Sequence, residues 1–319
     1  MMRPRIPVRL LLLAVLAPAL ALLAAMPGWF GGSPAETVQA ASATGAFSQV
    51  SAGYLHTCGV RTDGTLTCWG DNSYGQLNSP AGTFTQVSAG PSFTCGLRTD
   101  GTVACWGDNS QGQAGPPADT FTQVSAGGYH TCAVTTYGNV LCWGDNTYGQ
   151  ASPPVGTFSQ VSAGFLHTCG VKTDGTLACW GDNSYGEASP ATGAFTQVSA
   201  GDADTCGVKT DGTLACWGDN TYGEASPPAG TFTQVSAGDA GTCGVRTDGT
   251  AACWGDNSYG QLNNIPTGTF TQVSAGYYHT CGVSTDGTLA CWGYNIAGQA
   301  SPPTGTFTRA QVSAGGYHT

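Results

Sequence analysis

The stretch from His56 to Asn72 reads His-Thr-Cys-Gly-Val-Arg-Thr-Asp-Gly-Thr-Leu-Thr-Cys-Trp-Gly-Asp-Asn, two runs of strand-type residues around an Asp-Gly turn, with a cysteine on each arm. It returns seven times, and its cysteines, Cys58/Cys68, Cys95/Cys105, Cys132/Cys142, Cys169/Cys179, Cys206/Cys216, Cys243/Cys253 and Cys281/Cys291, account for all 14 in the chain. Few folds accommodate such a unit. A three-residue loop at Thr62-Asp63-Gly64, with Gly64 in the left-handed region of a bulge, closes Arg61 against Thr65 and places Cys58 opposite Cys68. Alternation makes this a non-hydrogen-bonded pair, whose Cα atoms lie about 4.5 Å apart, within disulfide range. Val60 and Leu66 share the cysteine face, so the bridge is expected in the packing between units. Trp69 falls on the opposite face, across from Thr57, with Gly59 leaving space beside it. Each bridge is worth at most roughly 2–3 kcal/mol in the chain-entropy account. Zinc wants cysteines two to four residues apart, and a catalytic thiol would not be copied seven times with the same neighbours, so the pairs read as structural disulfides.

The tetrapeptide Val-Ser-Ala-Gly starts at Val50, Val87, Val124, Val161, Val198, Val235, Val273 and Val312, a spacing of 37 five times, then 38, then 39. Each unit offers three strands, Phe47 to Ala52, Leu55 to Arg61 and Thr65 to Gly70, then a connection rich in Gly, Pro, Asn and Ser. No such piece buries enough surface alone, so the units must stack, and seven β units stack naturally as a ring of blades. The expected fold is all-β, a seven-bladed β-propeller over residues 44–319. Ser51, Ala52 and Gly53 are small enough for the crowded hub, which puts the first strand innermost.

With 9% charged residues, 49 Gly and 10% aromatics, the composition fits turn-rich β structure and neither a helical nor a disordered acidic chain. Residues 1–43 carry Arg3, Arg5 and Arg9 ahead of an apolar run from Leu10 to Ala25 and read as a secretory signal peptide and its tail, an uncleaved N-terminal anchor being the alternative. Beyond them six cations face eighteen acids. Nucleic acid is therefore an unexpected partner, because phosphate neutralisation needs a Lys/Arg surface. A membrane is reached only through that N-terminal segment. Seven disulfides belong in an oxidising compartment, so a secreted or envelope location is expected.

Ser-Ala-Gly-x-x-His-Thr-Cys-x-Val-x-Thr-Asp-Gly-x-x-x-Cys-Trp-Gly-Asp-Asn-x-Tyr-Gly-Gln, complete from Ser51 to Gln76, resembles the repeat of the regulator of chromosome condensation family. The resemblance covers 47–319 and implies a seven-bladed propeller. The added cysteines are similar to the disulfide-bearing version in crinkly-type plant receptor ectodomains. A short, secreted unit also resembles propeller-type β-lactamase inhibitor proteins, a likeness that implies target binding through aromatic-rich loops on one face. The family's nucleotide-exchange activity on a nuclear GTPase is not carried over, since an exported, acidic, disulfide-rich chain would not meet that partner.

Five histidines share one repeat position, His56, His130, His167, His279 and His318, while other units place Phe93, Asp204 and Gly241 there. A metal ring would not survive those replacements, so each histidine is expected to hydrogen-bond within its own blade. Asp71-Asn72-Ser73-Tyr74-Gly75 reads as a side-chain-capped turn and not a calcium loop. No cofactor is implied, nor a hydrolase motif. Variation within an otherwise copied unit marks positions the fold does not dictate. The turn after Ala-Gly varies most and is expected on one rim, giving an aromatic arc beside an acidic one: Tyr54, Leu55, Phe93, Tyr129, Phe165, Leu166, Tyr277 and Tyr278, with Asp202, Asp204 and Asp239. The expected function is non-catalytic binding of another extracellular protein, or a glycan, by a monomer. Two alternatives stand beside it: a carbohydrate-active or lyase-type enzyme using the rim aspartates, and a structural envelope or matrix repeat. A partial eighth repeat at 307–319 is read either as a strand closing the ring or as the start of a longer array.

Overall fold

The computed structural model describes residues 46–303, Ala240 excepted. Among the described residues, twenty-one strands form seven three-stranded antiparallel sheets, each from consecutive strands. The first blade is β1 (Phe47–Ala52), β2 (His56–Arg61) and β3 (Leu66–Gly70). The remaining inner strands are β4 (Phe84–Ala89), β7 (Phe121–Ala126), β10 (Phe158–Ala163), β13 (Phe195–Ala200), β16 (Phe232–Ala237) and β19 (Phe270–Ala275). The chain is a seven-bladed propeller whose hub is lined by the Ala-Gly ends of these strands. The signal peptide or anchor expected at 1–43 and the partial eighth repeat expected at 307–319 lie outside the described residues.

The hairpin has the expected register. Cys58 faces Cys68, Val60 faces Leu66 and Thr57 faces Trp69. Arg61 N–H donates to the Thr65 carbonyl at 2.8 Å, and Gly64 takes φ 82°, a conformation that costs a residue with Cβ. All seven expected pairs are disulfides: Cys58–Cys68, Cys95–Cys105, Cys132–Cys142, Cys169–Cys179, Cys206–Cys216, Cys243–Cys253 and Cys281–Cys291. Their Cα separations of 4.0 to 4.1 Å are shorter than the roughly 4.5 Å expected of a non-hydrogen-bonded pair.

The bridge lies in the packing between blades, as expected, but its two cysteines are buried to different depths. The cysteine on the middle strand, as at Cys58, Cys95 and Cys132, is fully buried against the next blade. Its partner sits on the outermost strand, where no further strand covers it, and in six blades it is only half-buried: Cys68, Cys105, Cys142, Cys179, Cys216 and Cys253. These six still pack on the edge of a seam core. Cys291, in the last blade, is buried like its partner.

Around each bridge the seams follow one plan. Cys132, Val134 and Val140 pack on Phe158, Val161 and Trp180, and the seam between last and first blade repeats this with Cys281, Val283, Phe47, Val50 and Trp69. Cysteine face and tryptophan face therefore interleave around the ring, each buried Val or Phe contributing roughly 1.5–3 kcal/mol. The space beside Gly59 belongs chiefly to Phe47 and not to Trp69, because a Cβ on Gly59 would stand 2.8 Å from the Phe47 ring. The inner strand of the same blade lays its first residue over that glycine.

What locks blade to blade at the hub is a polar ladder. The edge of an inner strand would otherwise leave N–H and C=O groups unpaired. Gln49 of β1 reaches across to β4: its Nε2 donates to the Val87 carbonyl at 2.8 Å and its Oε1 accepts from Val87 N–H at 2.7 Å. Ser51, two residues on and so on the same face, accepts from Ala89 N–H at 2.9 Å. The ring closes in the same way, Gln272 of β19 holding both groups of Val50 at 3.0 and 3.1 Å and Ser274 accepting from Ala52 N–H at 3.0 Å. The Gln-Val-Ser-Ala sequence is thus a side-chain substitute for a missing strand.

Candidate functional site at the upper end

Each blade has two ends. At the upper end lie the turn after Ala-Gly and the start of the connection, tied together where Asp71 N–H donates to the Leu55 carbonyl at 2.8 Å. At the lower end lies the Thr62-Asp63-Gly64 loop. The variable triplet at the upper end divides into three environments.

Its first position, Tyr54, Pro91, Gly128, Phe165, Asp202, Asp239 and Tyr277, lies at the hub. Phe165 N–H donates to the Gly201 carbonyl and Asp202 N–H to the Gly238 carbonyl, both at 3.0 Å, so the turns of the fourth, fifth and sixth blades are joined by backbone hydrogen bonds beside the axis. Phe165 leans over Gly128, where a Cβ would meet its ring at 2.7 Å. It also reaches across the axis, its ring 6.1 Å from that of Tyr277. The second position is exposed at Tyr129, half-buried at Leu55, Leu166 and Tyr278, and buried at Ala203. Tyr129 is 40% exposed, with its ring 5.4 Å from Phe165.

The third position points down between blades, and here two expectations need correction. Phe93 and Asp204 are each 1% exposed and belong to the blade seams, not to a rim. The histidines bond the next blade, not their own: His56 Nε2 lies 2.9 Å from Thr94 Oγ1, His130 2.7 Å from Thr168, His167 2.8 Å from Thr205, and His279 2.7 Å from Thr57. The tautomer follows from donor counting. Thr168 Oγ1 spends its hydrogen on the Gln150 carbonyl at 3.0 Å and Thr57 Oγ1 on the Gln299 carbonyl at 3.0 Å, so the hydroxyl accepts from Nε2–H. Nδ1 is then a bare, buried lone pair with no partner in all four rings. Protonating it would place an N–H where nothing accepts. Burial accordingly pushes His56 and His167 down to about 4, slightly opposed by Asp71 and Asp182, and His130 and His279 down to about 3, helped by a neighbouring histidine in each case. Asp204 occupies the same seat with Oδ2 3.4 Å from Thr242 Oγ1. Burial, with the charges of Glu224 and Asp202 nearby, holds its carboxyl well above the ordinary range.

The connection Asp71 to Gln76 is a side-chain-capped turn. Asp71 Oδ1 accepts from Ser73 N–H and Oδ2 from Gln76 Nε2 at 2.8 Å, while Gln76 Oε1 accepts from Tyr74 N–H at 2.9 Å. The Gln76 carbonyl in turn receives Trp106 Nε1–H of the next blade at 2.7 Å. This turn presents the tyrosine that sequence reasoning treated as structural. Tyr74, Tyr148, Tyr185, Tyr222 and Tyr259 are all exposed at the upper end. Tyr259 joins the inner aromatics, its ring 4.2 Å from Tyr278, which lies 5.2 Å from Tyr54, itself 4.8 Å from Tyr277. A continuous aromatic surface therefore runs from Tyr129 across the hub to Tyr259. The signal was the recurrence of Tyr two residues beyond each Asn, with Gln111 and Ala297 as exceptions.

The described cations are Arg61, Arg98, Lys172, Lys209 and Arg246, each the last residue of its strand at the lower end. Arg61, Arg98 and Arg246 lie over the rings of Phe47, Phe84 and Phe232 at 4.9 to 5.2 Å. Among the described residues the upper end has acids and no Lys or Arg.

The sequence model described as the regulator of chromosome condensation (RCC1) repeat matches residues 47–76, 84–113, 121–150, 158–187, 195–224, 232–261 and 270–299, one match per blade. The chain belongs to this family. Among solved structures it is similar to the ectodomain of the receptor kinase CR4 from Physcomitrella patens, with 28% identity, TM-score 0.68, and 79% of this chain and 75% of that one covered. It is also similar to the CRINKLY WD40 ectodomain of the receptor kinase ACR4 from Arabidopsis thaliana, with 28% identity, TM-score 0.65 and coverage of 79% and 99%. Prp20p from Saccharomyces cerevisiae shares the fold at 16% identity and TM-score 0.63, covering 79% of this chain and 83% of that one. No curated protein matches in sequence.

Proposed function

We propose that the chain is a non-catalytic, extracellular binding propeller that holds a protein partner on its upper end. The observation that carries this reading is the aromatic surface from Tyr129 through Phe165, Tyr277, Tyr54 and Tyr278 to Tyr259, exposed at its margins and flanked by Asp202 and Asp239. Half-buried aromatics in a rigid frame make low-entropy anchors. Seven disulfides and the receptor-ectodomain relatives support an extracellular place of action, with residues 1–43 as the export signal. The repeat-wide residues are consumed by structure: histidines, glutamines, tryptophans and turn aspartates all serve seams or turns. The enzyme alternative loses one of its three carboxylates, because Asp204 is sealed in a blade seam.

The test is capture of extracellular proteins by the intact propeller, compared with a Tyr129→Ser, Leu166→Ser, Tyr259→Ser variant. Tyr129 and Tyr259 are exposed and Leu166 is half-buried, so the variant is expected to stay folded with Tm lower by about 5 °C at most. A partner retained by the folded variant at undiminished affinity would sink the site assignment.

A further inference from the structure

One blade leaves the seat of the third turn residue unfilled. That residue drops between the inner-strand glycine of its own blade and that of the next, and in five blades it is a ring. A Cβ on Gly53, Gly127 or Gly164 would stand 2.7 Å from the histidine ring of the same blade, and one on Gly90 2.5 Å from the Phe93 ring. The sixth blade has Gly241 at this position. Around a Cβ on Gly238 the three nearest atoms beyond its chain neighbours are backbone, of Gly241 and Gly276, so no side chain comes as close as those rings do. Gly238 and Gly276, which flank the seat, are half-buried, as is Gly241, whereas Gly53, Gly90, Gly127, Gly164 and Gly201 are buried. Solvent therefore reaches this seam from the upper end.

The walls of the seat keep the groups that elsewhere meet the ring. Thr280 is the counterpart of the threonines that bond His56, His130, His167 and His279 in the other seams. Among the described residues its Oγ1 meets Cys243 Sγ at 3.6 Å and no ring nitrogen. Thr280 pairs across the hairpin with Trp292. In the six other blades the hydroxyl and the indole N–H of this pair end on one carbonyl of the preceding connection, as Thr57 and Trp69 do on Gln299 at 3.0 and 2.9 Å. Trp292 Nε1, beside the seat's threonine, is buried and has no partner. Such a donor is costly to leave unbonded, so this seam stands incomplete next to an opening.

We propose that the sixth seat takes the neutral imidazole of a histidine presented by the protein partner, the ring entering between Gly238 and Gly276 and giving its N–H to Thr280 Oγ1. The proposal rests on the upper end being the binding surface and adds the chemistry of one contact, made at the single seat of the seven that carries no side chain of its own. A hydroxyl that accepts from the ring is free to donate to the Gln261 carbonyl, as its counterparts do to theirs, and Trp292 can settle on the same oxygen. The gap is preformed and the ring planar, so little freedom is lost on entry.

The experiment titrates methylimidazole, the histidine side chain without its backbone, into the intact isotope-labelled chain at about pH 7.5, where most of the ring is neutral. Saturable shifts are expected at the amides of Gly238, Gly241 and Thr280 and at the Trp292 indole N–H, with Kd about 1–10 mM, while the Trp69 and Trp106 indoles stay unmoved. Butanol, of similar size and without a ring nitrogen, should leave all of them in place. Gly241→His fills the seat from within, so it should abolish the titration and weaken partner capture at least about tenfold. No saturable shift by about 50 mM, an equal response to butanol, or undiminished capture by the folded variant each overturn the proposal. The titration needs only the unaltered protein, so it decides even if the variant folds poorly. Capture lost in the Tyr129, Leu166, Tyr259 variant but kept by Gly241→His would leave the binding face standing and remove the histidine contact.

Discussion

Acidification should unfold this propeller through its histidines. Four buried imidazoles, His56, His130, His167 and His279, are held neutral with pKa values of about 3 to 4, against about 6.5 in an unfolded chain. A group whose folded pKa is lowered in this way binds its proton first in the unfolded state, so stability is intact above about pH 6.5 and drains away as pH falls toward 4. From pH 7 to pH 5 each histidine costs roughly 2 kcal/mol, and the four together roughly 7–8 kcal/mol, comparable with the whole stability of an ordinary domain. Near pH 5 the slope is about 1.4 kcal/mol per pH unit for each histidine. The turn aspartates, such as Asp63, have lowered pKa values, and their contribution is lost only as pH falls through the range below about 4. Asp204 runs the other way: its folded pKa is raised by burial, so its cost is relieved as pH falls, opposing the histidines. The measurement is the urea unfolding midpoint at pH 7, 6 and 5 with disulfides intact, on the wild type and on His56→Phe. Phenylalanine is chosen because Phe93 already fills this seat in the second blade. The variant's slope should be shallower by the contribution of one proton. Parallel curves, or a wild type whose stability is flat between pH 6.5 and 5, would refute the reasoning.

Two further outcomes follow from the seams. Gln272→Leu removes both partners of Val50 where the last blade meets the first, and should cost about 1–3 kcal/mol with faster hydrogen exchange at Val50 than at Val161; unchanged exchange there would mean that the ladder does not close the ring. Asp204→His restores the seat used in four other blades and should raise stability at pH 7 by roughly 0.5–2 kcal/mol, the gain shrinking toward pH 5 as the cost of burying Asp204 falls and that of the new histidine grows; a variant no more stable than wild type at pH 7 would contradict this.

The hairpin was legible because everything that defines it is local. Gly64, the cysteine pair and the Val60–Leu66 face lie within a dozen residues, and the two-residue period decides which side each takes. How deeply each cysteine is buried was not, since that depends on which strand ends up outermost. The seams were less legible still, because their partners stand a whole blade apart. Gln49 looks like an outward polar residue in an alternating strand until Val87 is brought beside it, and His56 looks self-contained until Thr94 arrives. The same separation explains the two misplaced rim residues. Phe93 and Asp204 vary between units, and variation was read as surface freedom, but a seam tolerates different chemistry when the facing threonine can turn its hydroxyl to suit. The reverse error hid Tyr74 and its copies, whose recurrence looked structural, although the turn uses the side chains of Asp71 and Gln76 and only the backbone of Tyr74.

The ladder of glutamines and serines also bears on how such a surface changes over time. Gln and Ser in each blade grip only the amide and carbonyl of the next, groups that every residue supplies, and tryptophan likewise addresses a backbone carbonyl. This ladder does not inspect its neighbour's side chains, and those that do meet across a seam, such as His56 and Thr94, recur from blade to blade. Blades are therefore interchangeable tiles: one copied over another, or two exchanged in order, would join with the same bonds while rearranging which tyrosines and aspartates stand side by side above. New faces become reachable by shuffling a finished part, with no new core to invent.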